Sequence, residues 1–181
     1  MNYDFEKELS NISDDTLRAM VSNFLAEKVP VYFWTSGASS SGKYHPDFAK
    51  GEGGLVRHTR ALVMFLNELM KMNTYAYMSQ NYKDYAYAAA ILHDTFKYGL
   101  GDEIDKSEYA NHERNAAQMF NDYCLENGYN VSEFLLGAIR SHMGQWGANK
   151  DDRPFTTIDR LVHLADYLAS RSFIDIPALH E

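Results

Sequence analysis

At 181 residues, with 45% hydrophobic and 23% charged side chains, the chain has an ordinary globular composition and enough length to bury a core in one domain. No apolar run approaches the roughly 20 residues of a membrane span, and a net charge of -8 argues against tight binding along a long nucleic acid. The single Cys124 excludes an intramolecular disulfide and fits a reducing cytosol, and the polar start MNYDFEKELSN reads as neither signal nor transit peptide, so a cytoplasmic location is expected.

Helical periodicity dominates from there on. Asp14 and Asp15 can cap a helix through Leu17, Met20, Val21, Phe24 and Leu25, which Pro30 ends. Val31-Tyr32-Phe33-Trp34 reads as a brief strand or a buried connector. Residues 35–54 are small, polar and turn-forming. From Leu55 a helix carries His58, Leu62, Phe65 and Leu69 on one face. A helix over 82–97 aligns Ala86, Ala90, His93 and Lys97, and Gly99 and Gly101 break it. A helix over 108–127 aligns His112, Ala116, Met119 and Tyr123 before Gly128 stops it. Residues 132–142 align Leu135, Ala138 and His142; 144–154 form a loop; 156–171 align Val162, Asp166 and Ala169. With no convincing set of alternating strands, the expected fold is an all-α bundle. One domain spans 1–181, with N-terminal helices and a loop over 1–52 and a metal-binding core over 53–171.

Six ligand-type side chains fall on or beside these apolar faces: His58, His93, Asp94, His112, His142 and Asp166. Taken singly, a histidine on such a face is more often a hydrogen-bonded core residue, and Asp166 could pair with an arginine. Together they bring several unpaired charges inward at a cost of several kcal/mol each, roughly. A pair of divalent cations is the simplest compensation, and helix bundles build dinuclear sites in this way.

Three strings carry a resemblance: GGLVRHT around His58, ILHDTFKYG around His93-Asp94 and HLADYLASR around Asp166. With the order His, His-Asp, His, His, Asp, the chain resembles the HD-domain metal-dependent phosphohydrolases over about residues 53–171. His112 and His142 match the variant that binds two metals. The resemblance implies that Asp94 bridges the ions, that His58, His93 and Asp166 complete one, and that His112 and His142 hold the other. Two divalent transition metals are expected, iron or manganese first, with cobalt, nickel or magnesium as alternatives. Magnesium alone suits so many nitrogen ligands less well. Water activated between the ions would be the nucleophile, which makes Asp94 and Lys97 the candidate catalytic residues.

Lys97 falls where HD hydrolases commonly carry a lysine that meets the substrate phosphate. The alternative is a surface lysine favoured by the helix dipole. Phe96 stands where the more familiar form has glycine, and could narrow the pocket. Arg171 could reach an anionic group of the substrate. Ser41, Lys43 and Tyr44, in the stretch SSSGKYHP, could form a lid or phosphate nest, although the glycine spacing is not that of a Walker A loop. Tyr44 and Trp146 could stack on a base. Arg114 is a weaker candidate for the substrate face, His163 reads as an ordinary partly exposed histidine, His180 has no assigned role, and Cys124 reads as a core thiol. The expected activity is hydrolysis of a phosphomonoester, phosphoanhydride or phosphodiester bond in a small phosphorylated substrate, a nucleotide first. Alternatives are a di-iron oxygenase on the same six ligands, a metal-bound nucleotide-binding regulatory module, or a purely structural bundle. A homo-oligomer is compatible with the sequence.

Overall fold

Eight α-helices and four short 3-10 turns account for the regular structure of the computed structural model, which describes residues 4–39 and 45–180. No strand occurs among the described residues, and none of their helices is long and apolar enough to cross a membrane. The helices are α1 (Glu6–Leu9), α2 (Asp15–Glu27), α3 (Val31–Thr35), α4 (Gly54–Leu69), α5 (Gln80–Leu92), α6 (His112–Glu126), α7 (Glu133–Ser141) and α8 (Thr157–Ala169).

The caps follow the sequence. The Asp14 carboxylate accepts from the backbone N–H of Thr16 and Leu17 at the start of α2. Thr156 and Asp159 form a reciprocal capping box at the start of α8. Asp84 of α5 is buried and accepts from the N–H groups of Ser13 and Asp14, which ties the entry of α2 to the middle of the molecule.

Helix α5 is the centre of the bundle, touching α1, α2, α4, α7 and α8. Its run Ala88-Ala89-Ala90-Ile91-Leu92 is fully buried, and short side chains there let neighbouring helices approach closely. Phe24, Phe96 and Phe120 meet edge-on beside it, with Phe24 ring centroids 6.1 Å from Phe96 and 5.2 Å from Phe120.

Three boundaries differ from the periodicity. The apolar piece at 31–34 is one helical turn, not a strand. Pro30 opens it, and the Phe33 N–H bonds back to the Pro30 carbonyl. Helix α5 ends at Leu92, so residues 93–97 leave it as successive tight turns rather than continuing the helix. Thr95 donates from its hydroxyl to the Leu92 carbonyl and takes the place of the next helical bond. Residues 106–111 form a 3-10 turn capped by Asp105, and α6 begins only at His112.

Candidate metal centre

His58 lies within α4 and Asp166 within α8, while His93 and His142 occupy the C-caps of α5 and α7 and His112 opens α6. All six predicted ligands converge, and none is more than 8% exposed. Three of the imidazoles are held alike. Nδ1 of His93, His112 and His142 lies 2.8, 2.6 and 2.7 Å from the carbonyl oxygens of Ala90, Tyr109 and Ile139. A carbonyl only accepts, so each Nδ1 carries a proton and each ring turns its Nε2 inward, the orientation in which an imidazole binds metal.

These Nε2 atoms have no adequate protein partner. His112 Nε2 and His142 Nε2 face each other at 3.2 Å, as do His58 Nε2 and His93 Nε2. Asp94 stands between the two pairs. Its Oδ1 is 3.2 Å from His112 Nε2 and 3.7 Å from His142 Nε2, and its Oδ2 is 3.4 Å from His93 Nε2 and 3.8 Å from His58 Nε2. Asp166 Oδ1 adds a contact of 3.0 Å to His58 Nε2. Asp94 Oδ1 and His58 Nδ1 are buried with no hydrogen-bond partner. Donor atoms of His58, His93 and Asp166, and of His93, Asp94 and His142, lie within 4.8 Å of one another. Ring nitrogens turned on one another and an orphaned, buried carboxylate oxygen fit a divalent cation.

The protein's own charges report the same demand. Burial pushes Asp94 up, but the Lys97 ammonium and His93 outweigh it and hold the carboxyl well below its ordinary range. Asp166 is likewise held low against burial, chiefly by its hydrogen bond and charge interaction with His58. Burial works against a proton on His93, yet Asp94 and Asp166 raise it on balance. His142, with burial and two neighbouring imidazoles against it, is pushed down to about 3.

A cavity of about 480 Å³ opens onto this cluster, with Asp94, His142 and Asp166 in its floor. Lys97 reaches it as a buried residue, 2.5 Å from Asp94 Oδ2, and is not the surface lysine of the alternative reading. Phe96 packs into the core against Phe24 and does not line the cavity, contrary to the expected narrowing. Arg171 closes one wall. Its guanidinium lies 4.2 Å from the Tyr167 ring centroid, its Nε donates to the Tyr167 carbonyl, and Trp146 stacks on Tyr167 at 10°.

Other predicted residues lie elsewhere. Arg114 forms an ion pair with Asp152 on the exterior and does not line the cavity. His180 pairs with Asp175, and Cys124 is buried, its thiol pushed up to about 12 by burial. Ser41, Lys43 and Tyr44 fall outside the described residues. His163 acts from behind the centre: its Nδ1 donates to the His142 carbonyl, and its ring fills the space over Gly144. Gly144 has φ +54°, and a Cβ there would come within 2.2 Å of that ring, so the position requires glycine.

Periodicity missed Tyr109, Tyr167 and His45. Tyr109 stacks on His112 and lines the cavity; the only signal was its place one turn before a ligand. Tyr167 follows Asp166 and lies four residues before Arg171, a stacking distance on a helix. His45 sits in the irregular stretch, where no period exists, yet it lines the cavity with its ring 5.3 Å from that of His58. Burial first, then His58 and Lys97, push it down to about 3.

Comparison with known families matches the family described as HD domain over residues 55–171. No curated protein and no solved structure matches. The matched segment spans well over half of the chain and contains all six converging residues. The chain therefore belongs to the HD domain family, within the superfamily of metal-dependent phosphohydrolases.

Proposed function

We propose that this protein is a two-metal phosphohydrolase acting on a small phosphorylated substrate, a nucleotide first. The observation that carries this reading is the division of Asp94: one carboxylate oxygen faces the His112–His142 pair and the other faces His58 and His93, at the floor of a cavity that also holds two cationic side chains. His58, His93 and Asp166 would hold one ion, His112 and His142 the other, with Asp94 between them. The nitrogen-rich set favours iron or manganese.

When bound, the ions supply Lewis acidity and bring the pKa of water toward neutrality. The chain's own residues do the rest. Lys97, fixed beside Asp94 Oδ2, holds a phosphate oxygen next to the centre. Arg171 uses Nε on the Tyr167 carbonyl and keeps the fork of its guanidinium for a second anionic group. Trp146, half exposed and backed by Tyr167, offers a face to a base. Among the described residues, no side chain lining the cavity is an activated nucleophile. Ser170, the only serine or threonine hydroxyl lining it among the described residues, commits its proton to the Asp166 carbonyl, which favours water as the attacking group. The cavity volume suits a ligand of mononucleotide size.

The test is release of phosphate or nucleoside from a panel of nucleotides and simpler phosphomonoesters, with manganese and separately with reduced iron. The expected outcome is turnover in the wild-type protein that falls below detection in Asp94→Ala. Equal rates in that variant would remove the metal mechanism. Silence across the panel, with oxygen consumed by the iron-loaded protein, would favour an oxygenase.

A further inference from the structure

We infer that His45 is a substrate-contacting residue, an imidazole outside the metal-ligand set that gives a hydrogen bond to an oxygen of the bound phosphate. The inference rests on the reading of the cavity as a phosphate site. His45 lines that cavity together with Asp94, Lys97, Asp166 and Arg171. It belongs to neither donor cluster. Its Nδ1 is enclosed and has no hydrogen-bond partner, whereas His93, His112 and His142 each have theirs anchored to a carbonyl. A buried nitrogen left without a partner is costly, and a ligand oxygen is the group that would satisfy it.

The placement of His45 is built, not incidental. It is followed by Pro46 and a 3-10 turn, Asp47–Ala49, in which Phe48 and Ala49 are buried. Arg57, the residue before His58 on α4, donates from Nε to the Phe48 carbonyl and from Nη2 to the Lys50 carbonyl. The Ala49 carbonyl accepts from Ala38 N–H and lies so close to Gly54 that a Cβ there would come within 2.3 Å of it. The same first turns of α4 thus fix both His58 and the segment that delivers His45. Lys97, Arg171 and His45 come from three separate segments to line one cavity, and a terminal phosphate offers three oxygens to donors.

The test uses metal-loaded protein and inorganic phosphate as the probe, with affinity read by calorimetry and metal content by elemental analysis. His45→Phe keeps the ring and removes both nitrogens; His45→Asn keeps a donor near the Nδ1 position. The expected result is unchanged metal content in both, phosphate binding weakened about tenfold in His45→Phe, and substantial recovery in His45→Asn, as for one hydrogen bond to a charged group. Unchanged phosphate affinity in His45→Phe, loss of metal in either variant, or no phosphate binding by the wild-type protein would overturn the inference. The two readings fail separately. Weakened phosphate binding with no organophosphate hydrolysed by the wild type upholds His45 and removes the proposed activity. Wild-type hydrolysis with phosphate affinity indifferent to His45 does the reverse.

Discussion

Lys97 and Asp94 form a buried ion pair at the floor of the cavity, and the lysine is held above its ordinary range because Asp94 outweighs the desolvation that opposes its charge. Removing one partner of such a pair strands the other, at a cost of about 3–5 kcal/mol. Here the stranded carboxylate would have a second source of positive charge, the metal. Lys97→Met should therefore destabilise the metal-free protein by about that amount and the metal-loaded protein by clearly less, while kcat/KM falls about 10- to 100-fold through loss of a charge-assisted phosphate contact. Urea unfolding with and without chelator checks the first part. Equal destabilisation in both states would mean that the cations do not reach Asp94.

At the scale of elements, the turn after α5 decides where Lys97 points. Two tyrosines secure it. The Tyr32 hydroxyl on α3 donates to the Gly99 carbonyl at 2.7 Å and accepts from Tyr98 N–H at 3.1 Å, and Tyr98 in turn donates to the Gly37 carbonyl. Tyr32→Phe leaves two buried backbone groups without partners. It should cost about 1–3 kcal/mol of stability, and it should lower kcat/KM while leaving metal content intact, because the ligands before Thr95 are held independently. A variant as stable and as active as wild type would show that the bolt does not position the turn.

The same turn explains what the sequence could and could not convey. Helices α2, α4, α7 and α8 were legible because their apolar spacing and caps, such as Asp14 and Thr156, agree with their packing. The spacing Ala90, His93, Lys97 looked helical over 82–97 because residues in tight turns following a helix keep nearly the same pitch. A side-chain bond from Thr95 and one buried tyrosine, Tyr32, on a distant helix decided otherwise. The six ligand candidates could be picked out by chemistry and by their motif. His45 falls within the stretch SSSGKYHP with nothing to single it out, because its place in the cavity depends on contacts with distant segments; Tyr109 offered no more than its spacing from His112.

Over the whole molecule, the metal-free cluster predicts a stability maximum near the ordinary histidine pKa. His142 and His45 have folded pKa values pushed down to about 3. Below the unfolded value of 6.5 the unfolded chain takes up protons that the folded one refuses, so each removes up to roughly 1.4 kcal/mol of stability per pH unit as the pH falls from 6.5 toward 3. His93 has the opposite sign. Its raised pKa gives stability that is fully present below 6.5 and is lost as the pH rises through the folded value. Urea midpoints in chelator at pH 5, 6.5 and 8 should be highest at 6.5. A midpoint that rises steadily toward pH 5 would contradict the arrangement.

Gly144 gives the cavity an uneven capacity for change. A side chain there would collide with the His163 ring, which holds the His142 carbonyl, so an alteration at this one point would be felt at a ligand. Trp146, two residues on, is half exposed and meets the centre only at second hand, through the His163 ring, its centroid 5.8 Å away. New substrate preferences can therefore arise by exchanging the aromatic and cationic wall at 167 and 171, and with more care at 146, while His142 and Gly144 stay closed to variation. The fold separates the part of the pocket that can diversify from the part that must be inherited unchanged.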